Sequence, residues 1–205
     1  MFLSINANRF RSPEFLGAAN AVLLVGALAG VWNAQSIALC FVVESAIIGV
    51  STLVQMAKAA KRGRLGKSKD YQYVFFIAIY GSFVVLYGSV LFSMIEMHGA
   101  DTAAVLGIAI LAASHYYSYR ADYLGNREYL RVTSFELTAF AFARGVPPQA
   151  VFAAGLFLLP NAANSPRAVA TLIAAKTLAD LGTHVLVHKR ICAREPDTEF
   201  ESSST

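Results

Sequence analysis

An all-α, polytopic membrane bundle of six transmembrane helices, with both termini cytoplasmic, is the fold class this sequence predicts. Three observations predict it. Hydrophobic residues make up 56% of the 205-residue chain and charged residues only 15%, against about a quarter charged in an ordinary soluble domain. The apolar residues come in runs close to the ~20 residues that a helix needs to cross a bilayer. The basic residues fall between those runs, in a pattern that membrane topology explains. A formal net charge of +4 is compatible with nucleic acid in principle. These cations sit in short segments between apolar runs, so the expected partner is the lipid bilayer and not nucleic acid. Cys40 and Cys192 fall at opposite membrane faces in this topology, which excludes a disulfide between them.

The first span, residues 15–31, follows a polar start carrying Arg9 and Arg11 and is followed by Trp32, read as an interfacial anchor. The second, 36–56, is broken only by Glu44, Ser45, Ser51, Thr52 and Gln55. Glu44, Ser51 and Gln55 share a face through spacings of seven and four, so this helix has a polar side. From Lys58 to Lys69 there are six basic residues and no acid, a run suited to anionic lipid at the cytoplasmic surface. In the third span, 71–95, Tyr73, Tyr80 and Tyr87 recur at heptad spacing and read as a packing seam. Gly81 and Gly88 are expected to let a neighbouring helix come close.

The fourth span, 102–119, ends in Ser114, His115, Tyr116, Tyr117, Ser118 and Tyr119; the tyrosines suit an interfacial belt, and His115 lies deeper. Thr133 and Glu136 have capping-box spacing, so a helix is expected to start there, lie along the membrane surface and break near Gly145, Pro147 and Pro148. A short fifth span at 144–159 follows from that reading. The alternative is one helix that starts before the prolines and carries Arg144 into the inner leaflet. The sixth span is 167–188, and the hydrophilic tail 194–205 is expected to be disordered. With both ends inside, fifteen basic residues face the cytoplasm and only Arg167 faces out, which satisfies the positive-inside rule at every loop and predicts an inner-membrane, multi-pass protein.

The last span carries the chemistry. Lys176, Asp180, His184 and His188 recur every four residues and so lie along one stripe of a helix. At about 1.5 Å per residue, Glu44 and Lys176 both lie roughly 12–13 Å from the outer face and are level enough to pair. His115, Asp180 and His184 fall in one layer, roughly 20–26 Å from the same face. Such residues are expensive in a helix centre, of order 2.5–3.5 kcal/mol for Lys or Asp on insertion scales, and point to a polar site between helices two, four and six. Lys176 and Asp180 also read as an internal ion pair that merely lets the helix insert.

The leading functional reading is a metal-dependent, hydrolase-like site acting on a lipid-like substrate. In it, His115, Asp180 and His184 ligate zinc or iron, with His188 an alternate ligand. Glu44 or Lys176 serves as the catalytic base or anion support, and Arg144 holds a substrate phosphate or lipid headgroup. The alternative is a proton-coupled transporter of a small solute that uses the same titratable residues. A third reading is a structural membrane scaffold.

The order Glu44 with Gly49, then Ser114, His115 and Ser118, then Asn126, Arg127, Glu128 and Arg144, then Lys176, Asp180, His184 and His188 resembles a family of prokaryotic six-span membrane proteins known only as a domain of unknown function. The resemblance covers roughly residues 31–190 and implies a topology and a set of polar positions, but no activity. A Pro-Tyr pair in the family pattern reads Ala141 and Phe142 here. A looser likeness, in chemistry alone, is to seven-span zinc-dependent membrane hydrolases with a late His-x-x-x-His, which His184 and His188 match.

Overall fold

The computed structural model describes residues 11–60, 69–94, 102–125, 128, 132–158 and 165–192, with side chains at 11–13, 69, 70, 94, 122 and 187–192 outside that description. The basic run at 61–68 and the tail beyond 192 lie outside the described residues. Among the described residues every element is helical. The order is α1 Arg11–Leu28, α2 Ala34–Ala60, α3 Lys69–Met94, α4 Thr102–Ser118, α5 Ser134–Leu158 and α6 Pro166–Cys192, with a π-helical stretch Tyr119–Gly125 continuing α4. Ala34–Ala60, Tyr71–Ser93 and Pro166–Leu186 are long and apolar enough to cross a membrane, and Glu14–Leu28 is a shorter apolar helix.

Local chemistry sets the helix ends. α1 stops in a Schellman motif: Gly30 adopts φ 73°, Val31 N–H donates to Gly26 O at 2.8 Å, and Gly30 N–H to Ala27 O at 3.1 Å. This turn brings Trp32 back over Gly26, whose missing Cβ leaves room for the indole. Trp32 is only 4% exposed, so it is a core residue and not the interfacial anchor its position suggested. Asn33 then caps α2, its Oδ1 accepting from Ser36 N–H at 2.7 Å. At α5 the expected capping box is present: Thr133 N–H donates to Glu136 Oε2 at 2.9 Å, and Glu136 N–H to Thr133 Oγ1 at 3.4 Å. Pro166 opens α6 at a position where its missing N–H costs nothing, beside the Ser165 hydroxyl that accepts from Ala168 N–H at 3.4 Å.

α5 is one helix of 25 residues that runs through Pro147 and Pro148, the alternative of the two readings and not a surface helix followed by a separate short span. The prolines withhold the N–H groups that Ala143 and Arg144 carbonyls would otherwise accept. Packing of α5 against α6, α2 and α3 holds the segment in place. Gly145 does not break the helix. Together with Gly49 of α2 it makes the slot that Tyr80 fills: a Cβ at Gly49 would meet the ring at 2.9 Å, and one at Gly145 would meet the hydroxyl oxygen at 2.6 Å. Tyr80 OH donates to Ser45 O at 3.1 Å. Tyr80 and Tyr87 are buried and Tyr73 half-buried, so the heptad tyrosines do form a seam. Gly88 lies against Val42, whereas Gly81 faces open space and allows no close approach.

α1 packs on α4 and α6, α6 on α5, α5 on α2 and α2 on α4, which closes a five-helix ring; α3 lies against α2 and α5 outside it. Val74, Ile77, Val85 and Leu86 of α3 and Val25, Val50, Val105 and Leu178 elsewhere point outward, an apolar exterior that suits lipid. Inside, there are two apolar cores. One gathers Leu23, Ile37, Phe41, Leu91, Leu111, Phe152 and Ile173; the other gathers Ile48, Met56, Phe76, Tyr80, Tyr123, Leu137 and Ala141. Along α2, Glu44 and Ser45 fall between the last residue of the first core and the first residue of the second. A polar layer at that level separates them.

Candidate functional site

Glu44 anchors this layer and is fully buried. Its Oε2 accepts from Lys176 Nζ at 2.6 Å and from Gln149 Nε2 at 3.4 Å, and its Oε1 lies 3.5 Å from His115 Nε2. Lys176 Nζ also reaches Asp180 Oδ2 at 3.5 Å, one helical turn further along α6. Tyr87 OH donates to Gln149 Oε1 at 2.9 Å, which turns the amide so that its N–H faces Glu44. Five helices thus contribute: α2 gives Glu44, α3 Tyr87, α4 His115, α5 Gln149, and α6 Lys176 and Asp180. Phe41 floors the cluster, with the Lys176 ammonium 4.5 Å from its ring centroid. Phe41 in turn meets Phe152 edge-on, at 4.8 Å and 88°. α2 and α6 are not among the closely packed helix pairs; the long lysine side chain bridges between them.

The predicted level pairing of Glu44 with Lys176 is present. His115 reaches the same cluster, but the contact it makes there is to Glu44, while Asp180 faces Lys176. Depth along a helix fixes height but not the direction in which a side chain points, and here the helix rotations place Glu44 between the imidazole and the ammonium. Among the described residues no three His, Cys, Asp or Glu side chains gather as a metal ion would require. His184 is buried and lies below the cluster. The His188 side chain lies outside the described residues. Sequence reading overlooked Gln149 and took Tyr87 for packing alone. A signal for the first was available, since Gln149 is the only polar side chain between Gly145 and Leu158.

Below the cluster lies a polar cavity of about 60 Å³, lined among others by Ser51, Gln55, His115, Tyr123, Arg144 and His184. It has room for roughly four waters at about 15 Å³ each. The π-helical stretch forms one wall, and such wide turns recur at functional sites. Tyr119 and Tyr123 stack there with centroids 5.6 Å apart, and Tyr123 OH donates to Gln55 O at 2.8 Å. Arg144 is half-buried at the cavity, and its Nε is shielded from solvent with no hydrogen-bond partner among the described residues. A buried guanidinium N–H left without an acceptor is costly, and the Glu128 carboxylate lines the same cavity.

Fold and site together define an all-helical protein with membrane-length apolar helices built around a buried charge cluster. The chain belongs to a family of unknown function, DUF6498, whose model matches residues 5–197. No curated protein and no solved structure matches it.

Proposed function

We propose that this is a six-span membrane protein with cytoplasmic termini whose buried cluster stores one exchangeable proton and couples it to the passage of a small polar solute through the adjoining cavity. The observation that carries this reading is the charge count around Lys176. One ammonium lies against two carboxylates, Glu44 and Asp180, so the cluster sums to minus one when both are ionised. An uncompensated charge at that depth is strongly disfavoured. One added proton makes the cluster neutral, and the imidazole of His115 stands between Glu44 and the cavity to pass it. The other groups facing the cluster, Gln149 and Tyr87, hold its geometry and add no charge.

Metal-dependent hydrolysis is less well supported, because zinc or iron at His115, Asp180 and His184 requires Asp180 to leave Lys176 and His115 to turn from Glu44. The two readings separate in one preparation. On acidification, detergent-purified wild type should take up one more proton per chain than Glu44→Gln, read with a pH dye, and Asp180→Asn should show the same deficit. Equal uptake in all three overturns the proton store. Near-stoichiometric zinc or iron that is lost in His184→Ala would move the assignment to the metal site.

A further inference from the structure

Pro147 and Pro148 divide α5 next to the buried cluster, and the two halves they separate are held in different ways. After the prolines, Gln149 donates to Glu44 Oε2 at 3.4 Å and accepts from Tyr87 OH at 2.9 Å. Phe152 meets Phe41 edge-on at 4.8 Å, and a Cβ at Gly155 would fall within the Leu172 side chain. That half is tied to α2, α3 and α6. Before the prolines, Leu137 and Ala141 pack into the second apolar core, and Phe142 meets the Tyr80 ring edge-on at 5.3 Å and 77°. Apolar contacts of this kind are non-directional, so they hold the first half close without fixing its angle.

The polar cavity lies against one of these halves. Its lining from α5 is Leu137, Phe140, Ala141 and Arg144, all before the prolines. The wall that closes this space along α5 is thus the half without the polar ties of Gln149. About four backbone hydrogen bonds cross any level of an α-helix, since each N–H reaches the carbonyl four residues back. Pro147 and Pro148 lack two of them in succession, those to the Ala143 and Arg144 carbonyls, and Gly145 within the gap has no side chain to brace it. Half the usual bonds are missing at one level. Helices bend at such places, and a hinge needs only a few residues to absorb a large motion.

We infer that the first half of α5, residues 134–144, is a gate that pivots at Pro147 and Pro148 and opens the polar cavity, while the half beyond the prolines stays fixed to the Glu44 cluster. The inference does not draw on proton storage and stands with or without it.

The test reads thiol accessibility in the full chain, purified in detergent. Ala141 is buried and lines the cavity, and Cys40 is buried in the first core, on the fixed side. One chain keeps Cys40 as its only cysteine through Cys192→Ser; the other carries Ala141→Cys with Cys40→Ala and Cys192→Ser. A fluorescent maleimide, too bulky for a cavity of about four waters, reacts only where the packing opens. The thiol of Ala141→Cys should react many times faster than Cys40. Pro147→Ala with Pro148→Ala returns the two backbone hydrogen bonds and should slow that reaction about tenfold, leaving Cys40 unchanged. The inference is overturned if both thiols react at one rate in the parent chains, since opening would then involve the whole bundle. It is also overturned if restoring the bonds leaves the Ala141→Cys thiol as fast as before. Should the double variant unfold and expose both thiols alike, Pro147→Ala and Pro148→Ala are measured singly, and a rate at or above the parent's in both overturns the pivot.

Discussion

Lys176 donates to Glu44 Oε2 at 2.6 Å across a separation of 132 residues, while its contact to Asp180, four residues away on its own helix, is longer at 3.5 Å. The tighter bond is the long-range one. Lys176 therefore acts first as a tie between α2 and α6 and only second as the local counter-ion of Asp180.

That ranking predicts an order of instability. Lys176→Met strips the cation from both carboxylates and should cost about 3–5 kcal/mol, the scale for breaking a buried pair. Glu44→Gln leaves the ammonium with Asp180 and an amide to bond, and should cost less. Unfolding of the purified variants in mixed detergent micelles measures both. A costlier Glu44→Gln would refute the ranking.

Trp32 is the only tryptophan, so its burial can be read directly. Its emission should be blue-shifted and poorly quenched by acrylamide. A Cβ at Gly26 would fall within the indole; Gly26→Ala should therefore expel the ring, shift emission to the red and raise quenching several-fold. Unchanged emission would mean that the Schellman turn does not fold the indole inward.

Tyr80 offers a complementary pair. A Cβ at Gly145 would stand 2.6 Å from its hydroxyl oxygen, so Gly145→Ala should destabilise by about 1–3 kcal/mol, as overpacking does. Adding Tyr80→Phe removes the colliding oxygen and should recover part of that loss. A strictly additive double variant would argue that the two positions are not in contact.

Removing the Thr133 side of the α5 capping box should have a smaller, local effect. Thr133→Ala is expected to cost about 0.5–2 kcal/mol and to raise hydrogen exchange in the first turn of α5 without altering the cluster around Glu44.

Several of these relationships were legible in the sequence for reasons that can be stated. Counting rise per residue put Glu44 and Lys176 at one height because both helices are regular up to that depth. The same counting failed for His115, whose partner depends on how α4 is rotated about its axis. The capping box was readable because it needs only four consecutive residues. Continuity through Pro147 and Pro148 stood only as an alternative, since the packing from neighbouring helices that offsets the lost hydrogen bonds is not visible in the sequence. Trp32 was misplaced because its position follows from a left-handed Gly30, and a Gly after an apolar run does not by itself say which way the chain turns. Tyr87 was read only as packing because its hydroxyl partner, Gln149, lies 62 residues away.

The layer holding Glu44 has one more consequence. Oil-like contacts gather mainly toward the two ends of the bundle; the joint between those ends is ionic at Glu44, with the α3 rings of Tyr80, Phe83 and Tyr87 running past it. Each end can keep its own packing while the joint changes state. Water admitted from the cavity would therefore slacken the middle of the molecule first, and loss of cooperativity should begin at Glu44 rather than at the ends.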